Sequence, residues 1–176
     1  MQIILLTHER ELTRKTNTGR LALEAFPAKV VSIVWSRVAA DKNLIEMLAS
    51  QQAKLLFPTE DAELADDSIE KGLPEDALQF MQNQVITKQV MPEHVVILDA
   101  TWQEARKMLR QSPYLKTAAR VSLPSLIPQS AFILRRNQQE GGLCTAECII
   151  ALWRQYGWDE QATVLASLFA QLNTRQ

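Results

Sequence analysis

Short apolar runs rich in β-branched residues alternate with amphipathic stretches along this chain. Residues 2–7, 29–35, 53–57, 95–98 and 120–123 have the length and composition of strands. Residues 29–35 are continuous and β-branched, as expected of a strand buried on both faces. A further short strand is expected at 132–134. The intervening segments 20–25, 41–52, 75–87, 102–111, 114–118, 143–156 and 159–172 carry helical spacing. Their punctuation agrees: Pro27 and Pro58 close elements, Pro113 suits a first helical turn, and Gly157 suits a helix C-terminus. Strands alternating with helices predict an α/β fold, a single domain with a largely parallel sheet.

The run 95–98 ends on Asp99, and Trp102-Gln103-Glu104-Ala105-Arg106 then opens a helix. In open parallel sheets this strand end is where ligands sit. A carboxylate there is costly to desolvate unless something uses it or pairs with it. No neighbour in sequence offers Asp99 a structural partner, so an alanine there is expected to leave the fold intact. Further polar groups fall at other strand ends: His8-Glu9-Arg10-Glu11, Pro58-Thr59-Glu60-Asp61, and the span from Ser125 to Glu147.

Composition narrows the picture. The 176 residues are 47% hydrophobic and 22% charged with net charge −1, which suits one globular domain and gives no overall basic signature. The charge is unevenly spread. Eight acids and one base lie in residues 60–76, whereas seven bases and one acid lie in 103–136. Such asymmetry fits either solvated helix faces or a basic face for a polyanion. No leader-like segment and no apolar run of membrane-spanning length is seen, so a cytoplasmic protein without membrane attachment is expected. Two cysteines, Cys144 and Cys148, are too few for a zinc site, and no metal is expected. Glycine-rich phosphate loops and the nucleophile elbow of hydrolases are absent from the sequence.

Asp99-Ala100-Thr101-Trp102 resembles the D-x-T-W signature of DTW-domain proteins, the tRNA-uridine aminocarboxypropyltransferases. Three more blocks are similar to that family, in the same order. They are His8-Glu9-Arg10-Glu11 with Thr16-Asn17-Thr18-Gly19-Arg20; Leu56-Phe57-Pro58-Thr59-Glu60-Asp61-Ala62; and Ser125 with Arg135-Arg136 and Leu143-Cys144-Thr145-Ala146-Glu147-Cys148. Together the blocks span about residues 3–155. Two departures stand out. Residue 9 is Glu where the family often has Pro, and no cysteine-rich zinc segment precedes the first block, as in a short form.

The resemblance implies a SPOUT-like fold with a C-terminal knot. It implies transfer of the 3-amino-3-carboxypropyl group of S-adenosylmethionine, used as a substrate, to N3 of a uridine in tRNA, with methylthioadenosine released. Under it, Asp99 is the expected acceptor of the uracil N3 proton. Thr101 either caps its helix or joins the chemistry, and Trp102 either packs in the core or stacks on a base. Arg135 would fork to the donor's carboxylate. Backbone at Thr59, Glu60, Leu123, Gly142 and Leu143 would hold adenine and ribose. Thr145 is the N-cap or a hydroxyl ligand, and Glu147 a ligand, a structural ion-pair partner or a capping acid. Arg106, Lys107, Arg110 and Arg136 are the candidate RNA contacts, with Arg106, Lys107 and Arg110 equally readable as a solvated helix face. A SPOUT-like RNA methyltransferase and a non-catalytic RNA-binding accessory domain are the alternatives.

Overall fold

The computed structural model describes residues 1–57, 91–123 and 142–174. The described strands are β1 (Gln2–Thr7), β2 (Val30–Val34), β3 (Ala53–Leu56), β4 (His94–Asp99) and β5 (Arg120–Val121). The described helices are α1 (Gly19–Ala25), α2 (Lys42–Ala49), α3 (Trp102–Gln111), α4 (Pro113–Lys116), α5 (Thr145–Gln155) and α6 (Asp159–Thr174). A 3-10 turn, Glu9–Glu11, follows β1. The strands form one sheet in the order β2-β1-β4-β3-β5, and every pairing is parallel.

Side-chain alternation explains the unbroken apolar runs of the two central strands. Ile4, Leu6, Val96 and Leu98 face a layer built by α2, α3 and α4. Ile3, Leu5, Val95 and Ile97 face the opposite layer, built by α1, α5 and α6. Trp153 of α5 is wholly buried there and meets Phe26 edge-on, with centroids 4.9 Å apart. The result is a three-layer sandwich with a core on each side of the sheet.

Strand β2 corrects an expectation. It is not buried on both faces: Ser32 and Val34 are exposed, Val34 to 52%, and the strand lies at the sheet edge among the described strands. Its apolar composition is the same as that of a central strand, and composition alone does not place a strand in the order. His94, expected as a surface residue ahead of its strand, is instead the first, part-buried residue of β4. Gly157 takes a positive φ of 78° past α5, as its position suggested. The expected helix at 75–87, the strand at 132–134 and the acidic segment 60–76 lie outside the described residues. So does 124–141, where the chain passes from β5 toward α5 and where the expected knot would be formed. No helix among the described residues is long and apolar enough to cross a membrane.

The chain leaves β1 for β2 on one face through α1, and leaves β4 for β5 on the other through α3 and α4. Crossovers therefore diverge between β1 and β4. A crevice opens at the C-terminal ends of such a strand pair. Here those ends are Thr7 and Asp99, which face each other in register.

Candidate functional site

Asp99 is 3% exposed, and three neutral donors close on its carboxylate. Thr145 Oγ1 donates to Oδ1 at 2.8 Å, Asn17 Nδ2 donates to Oδ2 at 2.9 Å, and Thr7 Oγ1 donates to Oδ2 at 3.3 Å. The donors come from the start of α5, the loop before α1, and the end of β1. The expectation that Asp99 lacks structural partners is thus corrected: buried charge at this point is satisfied by hydrogen bonds from side chains of three segments. The Thr145 bond is the only one of the three that is not fully buried.

The loop before α1 is shaped for this contact. Asn17 also donates to the Glu11 carbonyl at 3.1 Å, and its Oδ1 accepts the Arg20 N–H at 3.1 Å, capping α1. Thr18, at the formal cap position, makes no side-chain bond to its own helix. Its hydroxyl instead accepts the Ala146 N–H of α5 at 3.2 Å. Gly19 sits against the acid so closely that a Cβ there would lie 2.8 Å from Asp99 Oδ1. Thr7, Asn17, Thr18 and Gly19 were not among the expected site residues. Asn17, Thr18 and Gly19 belong to a block visible in the sequence, and Thr7 to the end of the first strand, but nothing local tied either to Asp99.

Thr101 caps α3. Its hydroxyl oxygen accepts the Glu104 N–H at 3.3 Å, and its own N–H and O–H donate to Glu104 Oε2 at 3.0 and 2.7 Å. Of the two readings of Thr101, the structure displays the cap. Burial acts to raise the Glu104 pKa. The bonds from Thr101 and the charges of Arg14 and His8 outweigh it and hold the carboxyl below its ordinary value. Arg14 also pairs with the fully buried Glu11.

Trp102 is half-buried. Its ring stacks on Phe57, with centroids 5.3 Å apart and planes within 5°, and the Arg106 guanidinium lies 5.5 Å from its centroid. Its indole Nε1–H is buried and meets no hydrogen-bond partner among the described residues.

At α5 the N-cap is Cys144, so Thr145 stands at the first helical position and is not the cap. Glu147 turns back on its own helix and accepts the Cys144 N–H at 2.8 Å, the capping role among its alternatives. Burial, with the charge of Glu147 beside them, pushes both the Cys144 and Cys148 thiols up, which leaves neither poised as a nucleophile. Leu123, Gly142 and Leu143 are part-buried residues after β5 and before α5. Thr59, Glu60, Arg135 and Arg136 lie outside the described residues. No group of three or more His, Cys, Asp or Glu that could hold a metal occurs among the described residues.

A cleft of about 400 Å³ opens at the same end of the sheet, and Asp99 is not in its lining. His8 and Trp35, stacked with centroids 5.6 Å apart, line one part of it, and Arg10, Arg37, Glu104 and Lys107 contribute charges. Lys107 thus lines the cleft, whereas Arg106 is drawn to Trp102 and Arg110 is exposed outside the cleft lining.

Comparison with known proteins bears on this geometry. The family model described as the DTW domain matches residues 1–176. The chain is 27% identical over 159 residues to tRNA-uridine aminocarboxypropyltransferase 2 of Drosophila melanogaster. That alignment covers 86% of this chain but 56% of the relative, so the chain spans little more than half the relative's length. No solved structure matches.

Proposed function

The chain belongs to the DTW-domain family, and from that premise we propose that it is a cytoplasmic tRNA-uridine aminocarboxypropyltransferase. It moves the 3-amino-3-carboxypropyl group of S-adenosylmethionine to N3 of a uridine and releases methylthioadenosine. The observation that carries this reading is the meeting of the signature acid Asp99 with Thr7, Asn17 and Thr145 at the crevice between β1 and β4. Segments far apart in sequence converge on one carboxylate where a parallel sheet binds its ligands.

The chemistry asks little of the protein beyond positioning and one proton. S-adenosylmethionine supplies the group on a positively charged sulfur, which leaves neutral when the carbon–sulfur bond breaks. Uracil N3 must lose its proton to attack, and Asp99 is the acceptor in this reading. Both of its oxygens are engaged, so the uracil N3–H replaces the Thr145 hydroxyl at Oδ1, the bond that is not fully buried. One donor exchanges for another, and the carboxylate keeps its hydrogen-bond count. The proton passes to Asp99 as the N3–carbon bond forms, and the electron pair of the breaking bond stays on sulfur.

Residues on the β5 and α5 side suit the donor. Leu123, Gly142 and Leu143 are part-buried there, and the family resemblance assigns Thr59, Glu60 and Arg135, outside the described residues, to the same role. Glu147 serves it indirectly, by fixing the start of α5 through Cys144. Trp102 Nε1–H is a buried donor for a polar atom of the bound substrate. Thr101 acts through the cap that orients α3. The SPOUT-like C-terminal knot belongs to the same reading.

The test is incubation of the protein with S-adenosylmethionine and unmodified tRNA, followed by nucleoside mass spectrometry. A uridine heavier by one aminocarboxypropyl group is expected. A methylated nucleoside would replace this reading with a methyltransferase, and tRNA binding with no new nucleoside would replace it with an accessory domain.

A further inference from the structure

We propose that the cleft between His8, Trp35 and α3 is the groove that holds the phosphate backbone of single-stranded RNA beside the reacting uridine; the inference rests on the function proposed above. Four observations support it. First, charge: Arg10, Arg37 and Lys107 line the cleft against Glu9 and Glu104. Glu104 is engaged by Arg14 at 3.7 Å, by Arg10 of the cleft itself at 3.8 Å and by the Thr101 hydroxyl, so its charge is answered within the protein. With Arg10 paired to Glu104, Arg37 and Lys107 face Glu9, and the balance favours an anion.

Second, size: a volume of about 400 Å³ suits a unit of the size of a nucleotide. Third, construction: the floor is firm. His8 Nδ1 accepts the Arg10 N–H at 3.3 Å, its ring stacks on Trp35, and Trp35 Nε1–H donates to Ser112 Oγ at 3.0 Å. Fourth, continuity: Glu104 belongs at once to the cleft wall and to the Thr101 cap, two residues beyond Asp99. His8 is tied to the same strand end, its N–H donating to the Asp99 carbonyl at 3.0 Å. The cleft wall and the strand end that carries Asp99 are therefore joined through the backbone.

This changes the basic footprint expected from sequence. The face of α3 that carries Gln103, Glu104, Lys107 and Gln111 meets the RNA. Arg106 and Arg110 of the same helix are off that face. Arg10 and Arg37, from the ends of the β1 and β2 regions, take their place.

Binding of unmodified tRNA to the whole protein, titrated against salt, tests it. Arg37→Ala and Lys107→Ala should each weaken binding about 3- to 10-fold. Each should also flatten the slope of log affinity against log salt by roughly 0.7 to 0.9, the value for one phosphate contact. Exposed Arg154 on α5 is the control, and Arg154→Ala should change neither. Methylthioadenosine affinity should be the same in all four proteins. Unchanged tRNA affinity and slope in the Arg37 and Lys107 variants would overturn the inference while leaving group transfer intact. Loss of slope in those variants, with wild-type protein that transfers nothing, would keep the groove and overturn the function. No tRNA binding by the wild type would overturn the groove itself.

Discussion

The Thr145 hydroxyl donates to Asp99 Oδ1 at 2.8 Å and so joins the first turn of α5 to the end of β4, 46 residues away in sequence. With Asn17 and Thr7 on the other oxygen, the acid is the point at which β1, the loop before α1, and α5 are held together.

Asp99→Ala should therefore destabilise the fold, against the expectation that the chain tolerates it. It removes the acceptor of three bonds, two of them fully buried; Thr7 keeps Ser32 Oγ at 3.0 Å, but Asn17 and Thr145 each lose a bond, and the loss should be about 3 kcal/mol in urea denaturation. Asp99→Asn keeps one acceptor but aims an amide N–H₂ at a donor, and should lose roughly 1–2 kcal/mol. The asparagine variant is the one that reports on chemistry. Folded and able to bind methylthioadenosine, it should transfer at least about 100-fold more slowly. A wild-type rate in that variant would remove Asp99 as proton acceptor and leave it as a positioning residue.

Gly19→Ala should be destabilising although it adds a helix former. In an ordinary helix interior the change gains about 1 kcal/mol. Here the new Cβ would sit 2.8 Å from Asp99 Oδ1 and 3.1 Å from Leu5 Cδ1. Relief requires the acid or the helix to shift, and the expected loss is about 1–3 kcal/mol in thermal or urea melts. A stabilised variant would show that the carboxylate is free to move.

The sequence was a good guide to what is local and a poor one to what is not. Strands β1 and β4 were legible because alternate residues of each serve two cores, which demands an unbroken apolar run. The Thr101 cap was legible as well, since threonine and glutamate three residues apart can close it without help. The partners of Asp99 were not legible, because they lie 46 to 92 residues away and only the folded sheet brings them together. Similarly, the edge position of β2 depends on strand order, which the composition of residues 30–34 does not encode. Cys144 rather than Thr145 is the N-cap, and the Thr145 hydroxyl instead donates to Asp99, a contact only the folded sheet brings about.

Glu104 gives a pH signature. Its folded-state pKa lies below the ordinary 4.5, so its ionised form stabilises the fold. That contribution is fully present above the unfolded-state value and is lost as pH falls through the lower folded-state value. Glu104→Gln should remove this part of the acid dependence. Urea stability measured from pH 7 down to pH 3 should show the gap between wild type and variant closing below about pH 4.5. A gap constant over that range would mean that the cap works through hydrogen-bond geometry alone.

Trp102 separates packing from function through one atom. Its ring rests on Phe57, and its buried Nε1–H meets no partner among the described residues. An unmet buried donor carries a desolvation penalty, so its removal should not weaken the fold. Trp102→Phe keeps an aromatic face for Phe57 and deletes only the donor and part of the ring. Stability should stay within about 1 kcal/mol of wild type, with the lost ring area offset by the absent penalty. If the N–H meets a substrate atom during transfer, the same variant should react about tenfold more slowly, equivalent to roughly 1.4 kcal/mol. Trp102→Ala, by contrast, should lose about 3 kcal/mol of stability as the stack collapses. An unchanged rate in the phenylalanine variant would assign Trp102 to packing alone, and single-turnover kinetics at saturating tRNA is the measurement that decides it.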